Sequence, residues 1–220
     1  MKINSMKFIL SAFALFLFAQ LSAQSFEGVV EYAITYENLP PEMEEHKSLF
    51  PTEAKSTIKG HMVKMEQPLS MGMKQVTIMD NKAESGVLLM DMMGQKNAIV
   101  LDKESREKFE EEQPETEFEY LNETKTIAGY DCKKALMKMN DGEKDIVLEV
   151  YYTPEIASSG MHQMSGLKGF PLQYSTSAGQ FVMTLTAQNV EEKKISEEEF
   201  TIPEGYQHIT LDQFQKTLGR

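Results

Sequence analysis

The chain has a single cysteine, Cys132, among 220 residues. One cysteine cannot form a disulfide within the chain, so stability has to come from a packed core. The lipid anchor of a bacterial lipoprotein needs a cysteine at the cleavage point, and no cysteine lies near the N-terminus. We expect Cys132 to be a buried, unpaired thiol on a strand, since a free cysteine most often behaves as a small hydrophobe.

Positive charge is scarce. The sequence has 22 basic residues against 34 acidic ones, for a formal net charge of −12. Nucleic acids and anionic lipid head groups are recognised through basic surfaces that release counterions. The charge therefore disfavours both as partners, and we expect no nucleic-acid binding.

A long apolar run is also missing. The run from Phe8 to Ala19 is about a dozen residues, whereas a membrane-spanning helix needs roughly 20. Lys2 and Lys7 flank its start and a small-residue segment ends at Ala23, which is the pattern of a secretory signal peptide. We predict that residues 1–23 are removed. Residues 24–220 would then form a single domain, periplasmic or secreted, with no stable membrane insertion.

Recognisable catalytic motifs are absent. The four histidines are scattered without the spacing of a zinc site, and they are His46, His61, His162 and His208. The sequence has no nucleophile elbow, phosphate loop or dinucleotide-binding glycine pattern. The acids are too numerous to single out a catalytic pair. We expect no enzyme activity, no cofactor and no metal.

Short alternating runs separated by turns dominate the chain. In the first, Val30, Tyr32, Ile34 and Tyr36 share one face, which is typical of a half-buried strand. The other predicted strands are Ser56–Glu66, Met73–Asp80, Gly86–Met93, Asn97–Leu101, Glu119–Ile127, Cys132–Met139, Lys144–Tyr152, Pro171–Ser175 and Gln180–Val190. Such short connections favour hairpins over parallel crossovers. We predict a mainly β fold, one curved antiparallel sheet from Gly28 to Val190.

Turns and short helices complete the predicted elements. Asn140-Asp141-Gly142 is a strong hairpin signal, because a type I′ turn needs positive φ at both central residues. Short helices are predicted at about 42–50 and 211–218, the second opened by a capping box at Thr210. A helical connector is expected at Pro154–Met164. The glutamate-rich segment 102–119 is interpreted as a solvated loop or frayed helix.

Methionine is abundant, with 16 in the sequence. Six are candidates to line an apolar binding surface, namely Met62, Met65, Met73, Met79, Met90 and Met92. Flexible thioether side chains either fill gaps in a core or repack around an irregular ligand. A third reading is Cu(I) binding, since thioethers are soft ligands and Met161-His162-Gln163-Met164 places three donors together.

Strand parity limits these candidates. Residues an even number apart on a strand share a face, so Met73 and Met79 should face one side, as should Met90 and Met92. Met93 should face away from its neighbours. Met62 and Met65 differ by three, so one should point outward unless a bulge near Gly60 intervenes.

Four segments in the second half resemble a known family. They are Lys125–Lys133, Val150–Ile156, Gly169–Leu172 and Phe200–Tyr206. Together with Gly28–Tyr32 near the start, they resemble the domain-of-unknown-function 4412 family of exported proteins of the Bacteroidetes. That family is related to the lipoprotein carriers of the LolA and LolB type. Tyr151 stands where such proteins often have tryptophan.

The resemblance implies an unclosed, LolA-like β-barrel with helices over its concave face and an apolar cavity between them. It brings no catalytic residue to this chain. Our leading hypothesis is a periplasmic binding or carrier module for an apolar small molecule or acyl chain. The alternatives are an envelope structural or interaction protein without a ligand, and a copper-handling protein.

The signal peptide gives the first prediction. The exported protein should begin at Gln24, because cleavage after Ala23 follows the small-residue pattern that signal peptidases recognise. N-terminal sequencing of protein recovered from the periplasm or the medium measures this. An intact Met1, or a chain retained in the membrane fraction, would contradict it.

Overall fold

In the computed structural model the described residues are 26–69, 72–92, 94–111, 115–140, 142, 144–156, 164–178 and 181–217. Several predictions fall outside them. These are the signal peptide, the central residue Asp141 of the predicted hairpin turn, most of the connector at Pro154–Met164 with Met161-His162-Gln163, and the orientation of Met93.

Twelve strands form one sheet. Their bounds are β1 Glu27–Glu37, β2 Glu53–Lys59, β3 Met62–Pro68, β4 Lys74–Asp80, β5 Ser85–Met92, β6 Gln95–Leu101, β7 Thr116–Ile127, β8 Tyr130–Asn140, β9 Asp145–Thr153, β10 Phe170–Ala178, β11 Phe181–Glu192 and β12 Gln207–Ile209. The strand order is β12-β6-β5-β4-β3-β2-β1-β11-β10-β9-β8-β7. The sheet is unclosed, with β12 and β7 as its two edges.

Two meanders meet at β1, which pairs with β2 on one side and with β11 on the other. Every pairing between Gly28 and Val190 is antiparallel, as predicted. The short strand β12 lies outside that range and pairs in parallel with β6. It was missed because three residues are too few to show an alternating pattern.

One predicted strand was wrong. The run Ser56–Glu66 is not continuous, because β2 and β3 form a hairpin joined at Gly60 and His61. Gly60 has φ of 60°, in the left-handed region that glycine adopts without steric cost. Both arms are rich in apolar and β-forming residues, so the alternating pattern continues across the turn and hides it.

The helices are short, as predicted. They are α1 Pro41–Glu44, α2 Lys103–Glu111 and α3 Leu211–Thr217, with 3₁₀ turns at Lys47–Leu49 and Glu197–Phe200. The capping box of α3 is present, since the Gln213 backbone N–H donates to Thr210 Oγ1 at 3.2 Å and the Thr210 N–H to Gln213 Oε1 at 2.9 Å. Within the described ranges no helix is long and apolar enough to cross a membrane.

The sheet is strongly curved in its second half, where β7 comes close to β11 across three intervening strands. The Tyr120 hydroxyl on β7 donates to the Gly166 carbonyl at 2.8 Å, and its ring lies 5.7 Å from that of Tyr152. The largest core cluster lies inside this curve. It extends from β7 through β1 to β3.

Described residues between β9 and β10, together with the first residue of β10, pack inside the curve. Ile156, Met164, Leu167 and Phe170 belong to the main core, and each is at most 4% exposed. They pack with strand residues that include Leu185. This half of the sheet is therefore closed by side chains of the protein itself.

Cys132 lies on β8 with no exposed surface, and it is a free thiol, as predicted. Burial raises its pKa to about 11. At neutral pH the reactive thiolate is therefore scarcer than in an unfolded chain.

Labelling by a thiol reagent should reflect this. Native protein at neutral pH should react at least about tenfold more slowly than the chain unfolded in denaturant, because both burial and the raised pKa oppose attack. The measurement is the rate of a chromogenic disulfide exchange with and without guanidinium. Equal rates in the two states would show that Cys132 is accessible.

Candidate functional site

The four strands β3 to β6 separate charge completely between their two faces. All six of their charged residues share one parity across the register, namely Lys64, Glu66, Lys74, Asp80, Asp91 and Lys96. We call this side the outer face. The opposite side, continuous with the main core through Val63 and Met65, is the inner face. Successive side chains of a strand alternate between faces, so the separation is a property of the sequence.

The inner face of β3 to β6 carries no charged residue among its strand positions. Its members are Val63, Met65, Gln67, Gln75, Thr77, Met79, Gly86, Leu88, Met90, Met92, Gln95, Asn97, Ile99 and Leu101. In a chain that is 25% charged, this is a large uncharged surface. It combines apolar side chains with neutral amides.

Four of the six candidate methionines occupy inner-face strand positions. Met65 and Met79 are 8% and 7% exposed, so they belong to the core. Met90 and Met92 are half-buried, and their predicted shared parity is confirmed. Met73 is half-buried and lies just before β4, so its parity with Met79 stays a prediction.

Met62 is not part of this group. It lies on the outer face, where it packs with Val76, Ile78 and Phe200. The parity argument expected one member of the Met62 and Met65 pair to point outward. The structure places Met65 inward and Met62 outward on the regular strand β3.

The inner face is only partly covered. Leu211 and Phe214 of α3 pack with Leu88, Met90 and Ile99, at the β5 and β6 side. The neighbouring positions Gln67, Gln75, Thr77, Met73 and Met92 remain half-buried. These positions form an uncharged, half-buried patch of the inner face beside α3.

Sequence reasoning missed the four amides on this face, three of which lie in one line across the sheet. The register aligns Gln67 with Gln75, Gln75 with Met90 and Met90 with Asn97, so one line crosses four strands. We call Gln67, Gln75 and Asn97 the amide row. The sequence alone shows that they share parity with the methionines. Their alignment in one line becomes visible only once the strand pairing is known.

The outer face of the same strands is covered by the C-terminal segment. Phe200, Ile202 and Tyr206 pack on Val76, Ile78, Leu89 and Ala98. Lys64 Nζ lies 2.8 Å from Glu199 Oε2, and Lys96 Nζ lies 5.8 Å from the centre of the Tyr206 ring. β12 then borders β6, and α3 returns to the inner face.

A cleft of about 610 Å³ lies on the outer side of β1 to β4. Its lining includes Glu31, Glu53, Lys55, Glu66, Lys74 and Gln188. Glu66 is surrounded by lysines, with Nζ of Lys55 at 2.6 Å, Lys74 at 3.1 Å and Lys64 at 3.8 Å. The cleft therefore offers hydrogen-bonding groups of both charges beside apolar lining residues that include Tyr32, Ala54 and Pro68.

A second cavity, of about 450 Å³, lies between the β2–β3 turn and the 3₁₀ turn Glu197–Phe200. Met62 and Phe200 contribute its apolar wall, and Lys59, His61, Glu197 and Thr201 contribute polar groups. In the described part of the chain no three histidine, cysteine, aspartate or glutamate side chains group as metal ligands would.

Comparison with known proteins identifies the family. Residues 30–213 match the family described as N-glycanase peptide, N-terminal domain. The chain belongs to this N-glycanase N-terminal domain family. The match covers all twelve strands except the first three residues of β1, and it replaces the assignment to the domain-of-unknown-function 4412 family.

Among solved structures, LprF from Mycobacterium bovis is similar to this member of the N-glycanase N-terminal domain family. The two chains have 10% identity and a TM-score of 0.36, with coverage of 84% of this chain and 92% of that chain. Neither the identity nor the TM-score transfers a function. No curated protein matches the chain.

Glu66 gives a prediction about pH. Burial raises its pKa, but hydrogen bonds from Lys55 and Lys74 and the charge of Lys64 outweigh this effect, so the pKa is lowered overall. The pKa of a glutamate in an unfolded chain is about 4.3. A carboxyl group whose pKa is lower than this in the folded protein stabilises the fold fully above that pH. The stabilisation is lost as the pH falls through the lower pKa of the folded state.

Glu66→Gln should therefore destabilise the protein at neutral pH by roughly 1 kcal/mol, since part of the cluster is exposed to solvent. The difference from the wild type should shrink below about pH 4. Urea unfolding at the two pH values measures it, and Glu53→Gln, an exposed carboxylate in the same cleft, is the control. If the difference in unfolding free energy between Glu66→Gln and the wild type stayed constant with pH, the lowered pKa of Glu66 would be contradicted.

Proposed function

We propose that this protein is an exported, non-enzymatic binding module that holds an apolar ligand against the inner face of β3 to β5. The observation that carries the proposal is the charge-free inner face, half-buried beside α3 and lined by Met73, Met90 and Met92. A sheet face that served only as a solvated surface would usually carry charged side chains.

Methionine suits this role. Its unbranched thioether side chain adapts to irregular shapes, so surfaces rich in methionine accept flexible apolar ligands. Met65 and Met79 provide a closed floor at the core end, and Met79 lies over Gly86, where an added Cβ would approach its Sδ to 2.5 Å. The half-buried methionines lie farther along the strands, where an apolar ligand would gain from covering them.

The packing in the curved half of the sheet also favours the inner face of β3 to β5 as the ligand site. Its interior is filled by Ile156, Met164, Leu167 and Phe170, so a ligand there would have to displace core side chains. Displacing buried side chains costs several kcal/mol each. The half-buried face of β3 to β5 offers apolar area without that cost.

Export and the lack of catalysis are parts of the proposal. The signal-peptide pattern ending at Ala23 supports a periplasmic or secreted location. The family description names an N-terminal domain of an N-glycanase. We assign this chain a binding role because its inner face combines thioethers, aliphatic groups and neutral amides, which bind ligands but do not transfer protons.

A sugar is the second candidate ligand, in a different place. The family description refers to an enzyme of N-linked glycans, and the outer cleft of about 610 Å³ is lined by carboxylates, lysines and an amide. Such groups hydrogen-bond to hydroxyls. An N-linked oligosaccharide would bind there without competing for the inner face.

The apolar proposal predicts that the neutral fluorophore N-phenylnaphthylamine gains fluorescence with the wild-type protein. The double variant Met73→Gln plus Met92→Gln should lose about tenfold in affinity, because each substitution replaces a thioether contact with a polar amide of similar length. Titration measures the affinity, and far-ultraviolet circular dichroism checks the fold.

Met43→Gln on α1 is the matched control, since Met43 is 37% exposed and far along the chain from the face. It should leave probe affinity unchanged. The apolar site would be refuted if the wild type did not bind the probe, or if Met43→Gln lost as much probe affinity as the double variant. Binding of an N-linked oligosaccharide alone, lost in Glu53→Gln, would favour the outer cleft.

A further inference from the structure

We infer that α3 is a displaceable cover, which competes with an apolar ligand for the inner face of the sheet. This rests on the proposed function and concerns how access to the same face is controlled. Leu211 and Phe214 of α3 pack with Met90, one of the methionines that the proposed ligand covers. One side chain therefore takes part in both contacts.

Met90 joins the covered and the uncovered parts of the face. It lies two residues before Met92 on β5, so the two side chains point to the same side. It also pairs with Gln75 of the amide row on β4, and both Gln75 and Met92 are half-buried. A ligand that extends from Met92 onto Met90 therefore meets the edge of α3.

Few side chains hold α3 on the sheet. Within residues 211–216, Leu211 is the one buried side chain and Phe214 is half-buried, whereas Asp212, Gln213 and Lys216 are exposed. The helix is seven residues long, which is too short for a stable helix without tertiary contacts. Its position therefore depends on the apolar contacts of Leu211 and Phe214.

The contacts of α3 are separate from the main core. Leu211 is buried in a cluster with Ile99 and Leu101 of β6, while the main core reaches this half of the sheet at Val63 and Met65 of β3. The segment that leads to α3 is β12, a three-residue strand at the edge of the sheet. Segments with few buried contacts open at a lower free energy than the core. α3 can therefore leave the face while the rest of the sheet stays folded.

Electrostatic contacts add little to the docking of α3. The pKa of Lys108 on α2 is raised mainly by its hydrogen bond to Glu104, and Asp212 of α3 contributes less. All three side chains are exposed, so water and salt screen the attraction between the two helices.

Release of α3 would uncover Leu88, Met90 and Ile99 beside the half-buried patch. A ligand that binds the uncovered face more tightly than the covered one shifts the protein toward the released state. The coupling is reciprocal, so the bound ligand also weakens the docking of α3. The cover thus lowers the affinity of the resting protein, and the ligand has to displace it.

Hydrogen–deuterium exchange of the wild-type protein tests this coupling, with N-phenylnaphthylamine as the ligand. Saturating probe should speed the exchange of the backbone amides of residues 213–217 by about threefold or more, because these amides exchange from the released state. The amides of β8 should not change. If α3 were a fixed wall of the site, the bound probe would protect it, so slower or unchanged exchange in α3 would overturn the inference.

The double variant Leu211→Gln plus Phe214→Gln provides a second test, because it removes the apolar contacts of α3. Its affinity for N-phenylnaphthylamine should rise about fivefold, since more of the protein is in the uncovered state. Adding Met90→Gln should cancel this gain, because Met90 is the side chain that α3 and the ligand share. A gain that persists in the triple variant, or an affinity that is unchanged or lower in the double variant, would contradict the cover.

Met43→Gln plus Leu49→Gln is the matched control. It makes the same kind of substitution at two positions that are 37% and 58% exposed and lie far along the chain from α3. It should leave the probe affinity unchanged. An equal rise in this control would show that the gain does not come from release of α3.

Failure of the cover and failure of the apolar site give different results. If neither the wild type nor the α3 double variant takes up N-phenylnaphthylamine, the proposed apolar site and the cover are both overturned. If the wild type binds the probe but α3 exchanges no faster, the cover is overturned and the apolar site stands. Uptake by the double variant alone would support the cover and refute a site that is open in the wild type.

Discussion

The pairing of β1 with β11 is the interaction on which the whole sheet depends. Each meander, β1 to β6 and β7 to β11, consists of local hairpins, but only this seam joins them into one sheet. Val30 and Leu185 are at most 1% exposed beside it, and the Tyr32 hydroxyl donates to the Pro171 carbonyl at 2.9 Å. The seam joins residues about 150 positions apart, so it is expected to form late in folding, after the local hairpins.

The seam also divides the protein into two halves with different interiors. In the curved half, the β9–β10 connection inserts Ile156, Met164 and Leu167 into the space enclosed by the strands. In the other half, the C-terminal segment covers the outer face with Phe200 and then returns as α3 to cover part of the inner face. The first half is a filled core. In the second half the C-terminal segment contacts both faces of the sheet, and an uncharged, half-buried patch lies beside α3.

Local patterns predicted much of this. Nine of the strands, the short helices and the parity of Met90 with Met92 follow from two-residue alternation and capping residues, which are properties of neighbouring residues. The sequence could not reveal that β1 lies at the centre, because partner choice depends on the packing of distant segments. The turn at Gly60 was missed because it is too short to interrupt the two-residue alternation. The strand β12 was missed because it is too short to establish such an alternation. Asn97 was overlooked as a polar residue in a strand, and only the register aligns it with Gln67 and Gln75.

The two faces of β3 to β6 differ in how their polar groups are accommodated. On the outer face, Lys64 pairs with Glu199 of the C-terminal segment, which also covers Val76 and Ile78. On the inner face, Gln67, Gln75 and Met92 stay half-buried, and no strand position is charged. A sheet face that only meets solvent usually carries charged and polar side chains. The inner face departs from that pattern, and this departure is the physical reason for proposing an apolar ligand there.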